Sequence, residues 1–470
     1  KYDYEDLYAA KKTYGQDINT SLGNAADPID ADQKLQEDAL MSYVASVNYS
    51  YDDKYYASFS FRRDGSSRLS PDTRWGNFWS LSASWRLSQE RFMQPLKSVL
   101  SDLKLRASYG VNGNLPSSYY GYQSTYTTGA FYSGKPSPWE STLGNEELTW
   151  EKNYALNLGL DIGLFSRVNV SLDWYTRTTK DLLMSKQLNS ISGFSSLLTN
   201  VGQMRNTGVE LEVRSNNIKT KDFSWTTAFN LSHNKNKILK LADLPWFVDG
   251  RYVRKEGYPF NTIYLREYAG VDPETGSALY YDNQQDENGN YTKNKVTDPG
   301  QASPIPLKDI TPTISGGFMN TFNYKFIDLS FNLSYSFGGY SYDNASYILQ
   351  DDGYSVISNK STEQRRRWQK PGDITDVPRF VYGNKKGGNY NSSRAIHSTD
   401  HIRLKSLILG LNAPKAWLQK LGIGNARIYF SGTNLLTWAA YDQYDPEMSG
   451  VVGFYTPPLK TYAFGLELKF

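Results

Sequence analysis

The chain has 470 residues, of which 39% are hydrophobic and 15% aromatic. Its mean hydropathy of −0.59 and the lack of any apolar run near the roughly 18 residues of a membrane-spanning helix leave a β-barrel as the only way to cross a bilayer. The formal charge of +3 and the absence of cysteine exclude a basic field for nucleic acid, disulfides and thiolate metal sites.

Residues 1–40 are polar and show no sustained period, so they are predicted to form a loop segment. From Tyr43 onward, apolar and polar residues alternate with period two, which is typical of β-strands with two different faces. The strand after Arg74-Trp75-Gly76 is the clearest case. In it Trp79, Leu81 and Trp85 alternate with Ser80, Ser82 and Arg86.

The same alternation recurs along the chain and predicts an all-β fold with about fifteen strands. The connections between predicted strands are alternately tight and long. The predicted strands cover residues 43–49, 55–61, 79–87, 103–109, 154–160, 168–174, 209–213, 223–231, 262–270, 277–281, 318–324, 329–337, 402–411, 426–431 and 462–470.

The last strand has an apolar face that begins and ends with an aromatic residue, from Tyr462 to Phe470, and an opposite face that carries Glu467 and Lys469. This pattern is typical of a strand between lipid and a wet lumen. A terminal strand of a soluble β-sandwich fits these nine residues equally well. The choice therefore depends on the rest of the chain.

Loop lengths favour the membrane barrel, because outer-membrane barrels have short periplasmic turns and long extracellular loops. If the C-terminus is periplasmic, every long connection falls outside and every tight turn falls inside, provided that both weak strands between residues 262 and 281 exist. Residues 1–40 then lie in an extracellular loop. An odd strand number starting outside predicts further strands before Lys1, so the chain is expected to be a fragment.

Catalytic and metal-binding patterns are weak. His397 and His401 lie in a predicted loop, and the stretch from Asp282 to Asn290 lacks the acidic residue that completes a calcium loop. The run Arg365–Trp368 suits either anion binding or a solvated loop. We therefore predict no enzyme activity, no metal site and no cofactor.

Aromatic residues are concentrated in the predicted long loops. Flat rings can stack on a sugar or can pack one loop against another, and the sequence allows both interpretations. The residues predicted to contact substrate are Tyr119, Tyr120, Tyr122, Trp139, Trp246 and Phe247.

Several longer motifs resemble one known family, the SusC-like (SusC/RagA) TonB-dependent outer-membrane transporters. They span nearly the whole chain. The motifs are RDGSSR at 63–68, RWG at 74–76, SASWR at 82–86, LKLRASYGVNGN at 103–114, TWEK at 149–152, NVGQMRNTGVEL at 200–211, GVDPETG at 270–276 and RWQKPGD at 367–373.

The resemblance implies that residues 41–470 are the C-terminal portion of a 22-stranded transmembrane antiparallel β-barrel whose plug domain lies outside this chain. It implies TonB-dependent import of glycans or, in some family members, of peptides. The aromatic loop residues by themselves favour an oligomeric glycan over a peptide, bound without covalent chemistry. The implied partners are a SusD-like surface lipoprotein, TonB through the preceding part of the protein, the preceding strands and plug, and outer-membrane lipid. A dimer of the SusCD-type complex is also allowed, and nucleic acid is not. A peptide importer and a soluble β-rich glycan-binding protein are the alternatives.

Overall fold

The computed structural model describes residues 2–14, 25–241, 244–384, 391–414, 418 and 423–469. The first fourteen strands are β1 (Tyr2–Tyr14), β2 (Ala25–Asp38), β3 (Leu40–Tyr51), β4 (Tyr55–Ser66), β5 (Trp75–Arg86), β6 (Leu100–Asn114), β7 (Thr125–Tyr132), β8 (Lys135–Thr142), β9 (Glu151–Leu164), β10 (Val168–Lys180), β11 (Leu183–Gln187), β12 (Ser196–Asn200), β13 (Gln203–Lys219) and β14 (Phe223–Lys240). The others are β15 (Trp246–Asp249), β16 (Tyr252–Lys255), β17 (Thr262–Leu265), β18 (Tyr268–Val271), β19 (Ala278–Tyr281), β20 (Lys295–Val296), β21 (Ile305–Asp309), β22 (Ile314–Tyr324), β23 (Ile327–Phe337), β24 (Tyr340–Asp343), β25 (Ile396–Ser398), β26 (His401–Asn412), β27 (Asn425–Ala439), β28 (Gly450–Val452) and β29 (Thr461–Lys469).

Among the elements whose bounds the structure describes, helices are few and short. They are α1 (Asn344–Leu349) and the 3-10 segments Leu87–Gln89, Arg91–Leu96, Ser190–Ser192, Pro299–Gln301, Thr362–Arg366 and Ser393–Ala395. Within the described ranges, no helix has the length and apolar character needed to cross a membrane.

The largest sheet contains thirteen of the described strands, in the order β29-β27-β26-β23-β22-β14-β13-β10-β9-β6-β5-β4-β3. Each of these strands overlaps a strand predicted from the alternation of apolar and polar residues. Tight turns join β3 to β4, β9 to β10, β13 to β14 and β22 to β23, in agreement with the predicted alternation of tight and long connections. Asp52 and Asp53 both have positive φ, at 52° and 50°, which matches the twist of a two-residue hairpin turn.

The prediction of two further strands in this sheet is wrong. The regions 262–270 and 277–281 contain β17, β18 and β19, which belong to separate small sheets, while β14 pairs directly with β22. Each of the three is 4 residues long, whereas a tilted membrane-spanning strand needs about 9–11 residues. The sheet therefore has thirteen strands in the described part, not about fifteen. Because two strands are removed together, the alternation of tight and long connections is unchanged.

Part of the segment 1–40, which was predicted to be a loop, forms β-strands. The backbone of β1 and β2 forms an antiparallel ladder with one register shift at Ala10/Lys11. Backbone hydrogen bonds hold such a ladder without any apolar alternation, and alternation was the signal used to predict strands.

The chain divides into two compact units, the first made of Lys1–Ser84, Ala107–Leu156 and Arg177–Met204 and the second of Trp85–Arg106, Asn157–Thr176 and Arg205–Phe470. A small apolar core in the first unit contains Leu69, Phe78, Val111, Leu148 and Trp150. The indole N–H of Trp150 donates to the carbonyl of Arg74 at 2.8 Å. The RWG and TWEK motifs are thus joined in this core.

In the second unit, β14, β22, β23, β26, β27 and β29 pair in antiparallel register. The register aligns apolar side chains in rows across all six strands. One row contains Trp225, Phe322, Leu329, Leu409, Phe430 and Phe464, and the next contains Phe223, Tyr324, Ile327, Leu411, Ile428 and Leu466. Many of these side chains are exposed, including Leu409, Ile428 and Phe464, so this face of the sheet is apolar and uncovered.

The opposite face of the same strands is polar. Asp328 accepts hydrogen bonds from Asn412 Nδ2 at 2.7 Å and from Arg427 Nη2 at 2.6 Å. Gly410 lies beneath this group, and a Cβ there would approach Asp328 Oδ1 to 2.5 Å. The glycine therefore makes room for a charged network on the polar face.

Three small sheets complete the second unit, with strand orders β15-β16-β17-β21, β18-β19-β20 and β25-β24-β28. They have ordinary apolar cores. Ile263, Leu265, Tyr342 and Ala395 form one buried cluster, and Ala278, Tyr280 and Ala302 form another.

Candidate functional site

The clearest cleft on the small sheets of the second unit is formed by the sheet β15-β16-β17-β21. Its strands are antiparallel, with Trp246 opposite Lys255 and Val253 opposite Thr262. A reverse turn at Gly250, whose φ is +61°, joins β15 to β16. Because side chains alternate along a strand, Trp246, Val253, Lys255 and Tyr264 share one face.

The two faces of this sheet have different roles. Tyr252, Ile263 and Leu265 belong to the other face and pack in the buried cluster around Tyr342. That packing fixes the sheet and leaves the first face to line a cleft of about 440 Å³, within the size range of ligand pockets.

Carboxamide side chains form the second wall of the cleft. Asn283, Gln284 and Gln285 follow β19 and line the cleft together with Tyr291 and Ser303. Gln284 Nε2 donates to Ser303 Oγ at 3.2 Å, and the backbone carbonyl of Gln284 accepts from Thr292 N at 2.7 Å. This wall is therefore held by hydrogen bonds of its own.

Aromatic rings flank the same space. The rings of Trp246 and Tyr264 lie 6.0 Å apart at 47°, and Tyr291 lines the cleft as well. Burial raises the pKa of Tyr264 above its ordinary value, so its hydroxyl stays neutral. The cleft thus combines flat apolar rings with amides that both donate and accept hydrogen bonds.

The basic side chains on and around the cleft differ in whether a carboxylate pairs with them. Lys293 Nζ pairs with Glu267 and also donates to Asn283 Oδ1 at 3.0 Å. Arg254, on the far face of β16, pairs with Asp249 at 2.8 Å. Lys255 lines the cleft, and its Nζ lies 4.9 Å from the centre of the Tyr258 ring.

A second cleft of about 540 Å³ lies beside the start of β26 and the loop before β29. Its lining includes Arg403, Asp445, Phe454 and Tyr455. The Arg403 guanidinium pairs with Asp445 at 2.7 Å and with Glu447 at 2.9 Å. Because the buried Arg403 guanidinium already forms two ion pairs, this cleft is a weaker candidate than the first for binding a charged ligand.

Of the predicted substrate-contacting residues, Trp246 lies in the first cleft. Phe247 is opposite Arg254 in the β15–β16 ladder and so lies on the other face of β15. Trp139, in β8 of the first unit, is exposed.

The three predicted tyrosines of the first unit already have partners. Tyr119 lies under the Arg68 guanidinium, 4.1 Å from the ring centre, and its ring is 6.3 Å from that of Tyr120. The Tyr120 hydroxyl accepts from Glu37 N at 3.1 Å. Tyr122 packs against the core of the first unit.

The sequence pattern did not predict a binding role for Lys255, Tyr264, Tyr291 or the three carboxamides. A turn signal at Gly250 was available, because a two-residue hairpin loop that begins there places Trp246 opposite Lys255 on one face. The run Asn283–Gln285 was noticed only as a poor calcium loop. In the structure Asp286 Oδ1 accepts from Asn288 N and Asn290 N at 2.9 and 2.8 Å, which makes this stretch a hydrogen-bonded turn.

The basic run Arg365–Trp368 has a structural contact. The Trp368 indole N–H donates to the carbonyl of Pro273 at 2.8 Å, and its ring covers Gly276. Gly372 N donates to the same Pro273 carbonyl at 2.9 Å. The motifs GVDPETG and RWQKPGD therefore contact each other. The Trp368 indole takes part in this contact through both its N–H and its ring.

The two predicted loop histidines do not share a ligand site. The His397 ring stacks on Tyr441 at 3.7 Å, while His401 Nδ1 lies 2.8 Å from the carbonyl of Thr399. Within the described residues, no group of three or more His, Cys, Asp or Glu side chains is placed to hold a metal ion.

Comparison with known proteins confirms the resemblance noted from the motifs. The family described as TonB dependent receptor-like, beta-barrel matches residues 2–263. TonB-dependent receptor P3 of Formosa agariphila is 33% identical over 93% of this chain and 46% of that receptor. TonB-dependent receptor SusC of Bacteroides thetaiotaomicron is 31% identical over 93% of this chain and 45% of SusC.

A solved structure of the RagAB peptide transporter is 30% identical in sequence to this chain, with a TM-score of 0.88. The match covers all of this chain and 52% of the solved chain. The chain therefore spans about half the length of the relatives it matches.

Proposed function

This chain belongs to the family of TonB-dependent receptor-like β-barrels of the outer membrane, and we propose that it forms part of an importer that takes up an oligomeric glycan. The family places the chain in the outer membrane, which removes the soluble glycan-binding protein as an alternative. The relatives with this architecture are named receptors and transporters. The protein acts on its substrate by binding and translocation, without covalent chemistry.

The observation that carries the choice of a glycan is the cleft lined by Trp246, Tyr264, Tyr291 and the carboxamides Gln284 and Gln285. Aromatic rings offer broad apolar area at small entropic cost, and amides match hydroxyl groups as both donors and acceptors. A sugar ring presents both an apolar face and a rim of hydroxyls. The lining therefore fits a saccharide better than an extended peptide backbone.

Peptide import is the second candidate, because one similar structure is that of a peptide transporter. Tyr119, Tyr120, Tyr122 and Trp139 in the first unit, and Phe247 in the second, are proposed as further substrate contacts. The proposed partners are a SusD-like surface lipoprotein and TonB, as for the family as a whole, and a dimer of that complex.

The test uses the full-length protein in its own bacterium, after deletion of the gene and complementation with variants. We expect Trp246→Ala to weaken uptake of a labelled oligosaccharide by about tenfold, since losing a ring contact of about 1.4 kcal/mol changes affinity by that factor. Tyr382→Ala is the control, because Tyr382 is 79% exposed and lies outside the cleft.

Uptake of peptides but not of oligosaccharides would favour the second candidate. Unchanged oligosaccharide uptake after replacement of Tyr119, Tyr120, Tyr122 and Trp139 by Ala would rule out those four residues as substrate contacts.

A further inference from the structure

Lys255 stands out among the residues that line the aromatic and carboxamide cleft. The lining contains Trp, Tyr, Val, Pro, Ser, Asn and Gln side chains, and within the described residues Lys255 is its one charged member. It is half-buried and lies opposite Trp246 in the β15–β16 ladder. The cleft thus has one positive charge beside its principal ring.

Two cations near the cleft are neutralised by carboxylates, whereas Lys255 is not. Lys293 pairs with Glu267, and Arg254 pairs with Asp249. In the described part of the chain, Lys255 forms no ion pair; its ammonium group lies 4.9 Å from the centre of the Tyr258 ring. A contact with a ring face attracts a cation weakly and leaves the N–H donors of the ammonium group available to a ligand.

We propose that this cleft binds an acidic sugar residue, with Lys255 as the residue that selects a carboxylate or sulfate group on the saccharide. The inference rests on the proposed glycan import and adds the charge class of the substrate. Trp246 and Tyr264 contact the apolar face of the sugar, and Gln284 and Gln285 bind its hydroxyls. A partly enclosed cleft with one uncompensated ammonium group favours anions, because the low local dielectric strengthens the attraction.

An acidic peptide could also present a carboxylate to Lys255, but the rest of the lining favours a sugar. The walls offer flat rings and amides, and the buried Val253 belongs to the same lining. A peptide site would instead need a row of backbone hydrogen-bonding groups at a free strand edge or separate pockets for side chains. The edges of this sheet are β15 and β21, whereas Lys255 lies on the inner strand β16, which has neighbours on both sides and no free edge for an added strand beside the ammonium group.

The experiment measures binding to the purified full-length protein in detergent by titration calorimetry. Two probes are acidic saccharides, namely a uronic acid tetrasaccharide and a sulfated tetrasaccharide. The other two are the same tetrasaccharide without sulfate, which is neutral, and an acidic tetrapeptide. Variants are Lys255→Gln, Lys255→Arg and, as a matched control, Lys295→Gln, which removes an exposed charge on β20 outside the cleft lining.

We expect an acidic tetrasaccharide to bind more tightly than the neutral one, and Lys255→Gln to weaken that binding by about tenfold, as for loss of a charge-assisted hydrogen bond. Lys255→Arg should retain most of the affinity, and Lys295→Gln all of it. Added salt should weaken acidic binding to the wild type and have little effect on Lys255→Gln. The uronate and sulfate probes identify which anion the cleft takes.

Equal binding of neutral and acidic tetrasaccharides, with no effect of Lys255→Gln, would overturn the acidic-sugar inference and leave glycan import standing. Binding of the peptide alone, lost in Lys255→Gln, would overturn both. Circular dichroism and thermal unfolding of each variant establish that it is folded, so a loss of binding reports on the cleft.

Discussion

Two parts of the second unit differ in the solvent exposure of their apolar side chains. In β26, β27 and β29, Leu409, Ile428 and Phe464 are 43%, 60% and 83% exposed. In the small sheets, Val253, Ile263 and Tyr342 are 0–1% exposed. Both parts are antiparallel β-structure, so secondary structure does not account for the difference.

The difference shows which medium surrounds each part. An outer-membrane barrel turns an apolar band toward lipid, so its strands need no covering layer of protein. The small sheets must remove their apolar surface from water by packing against one another. The same residue types are therefore exposed in one part and buried in the other. This difference indicates that lipid surrounds the long strands and water surrounds the small sheets.

The largest expected effect comes from deleting apolar volume in the small sheets. Ile263→Ala should lower the free energy of local unfolding by about 2–5 kcal/mol, because it leaves a cavity in a packed core. Ile428→Ala, on the exposed apolar face, should cost about 1 kcal/mol or less, as for other surface substitutions. Hydrogen exchange of the amides of β17 and β27 measures both. Equal losses would contradict the assignment of two different solvents.

A charge on the apolar face should cost slightly less than that cavity. Leu409→Arg is expected to destabilise the protein in a bilayer by about 2–4 kcal/mol if Leu409 lies near mid-bilayer. Ser431→Arg, on the polar face of the adjacent strand, should cost far less. Guanidinium titration of the full-length protein in lipid vesicles gives the two values. Comparable costs would contradict the assignment of one face to lipid and the other to a polar environment.

The smallest expected effect is a pH dependence confined to the small sheets. Burial against Tyr441 lowers the pKa of His397, although the nearby Asp343 carboxylate acts in the opposite direction. A folded-state pKa below the unfolded value of 6.5 means that the unfolded state binds the proton more readily. Stability should therefore be fully present above about pH 6.5 and fall as the pH drops toward the folded-state pKa.

Limited proteolysis of the loops between pH 7.5 and 5 would detect this change. In His397→Phe, which keeps a ring on Tyr441, the part of the pH dependence due to this histidine should disappear. An unchanged pH profile in that variant would show that His397 does not carry the effect.

Much of the large sheet could be predicted from sequence because its signal is local. Alternation within a strand depends only on the residues of that strand, and lipid on one side makes the apolar positions regular. The strand with Trp79, Leu81 and Trp85 shows this, since these side chains are exposed and Ser80 and Ser82 hydrogen-bond to Ser60 and Ser58 at 2.7 and 2.6 Å.

The same rule failed between residues 262 and 281. Strands β17 and β19 are rich in β-forming residues, but each is 4 residues long, and each pairs within a small sheet rather than with β14 or β22. Length and partner, not period, distinguish a membrane strand from a loop strand. The candidate site was found only in part for a similar reason, since Trp246 was identified by its type and Lys255, Tyr264 and Gln284 were not.

The sequence alone determined the all-β class, the two faces of the long strands and the family, because period, turn residues and motifs are written along the chain. Tertiary structure decided that β14 pairs with β22 across about 70 intervening residues, that Trp368 covers Gly276, and that carboxamides after β19 face the rings of β15 and β17. These contacts join residues far apart in sequence. Their energies depend on which surfaces meet, and no local pattern encodes that.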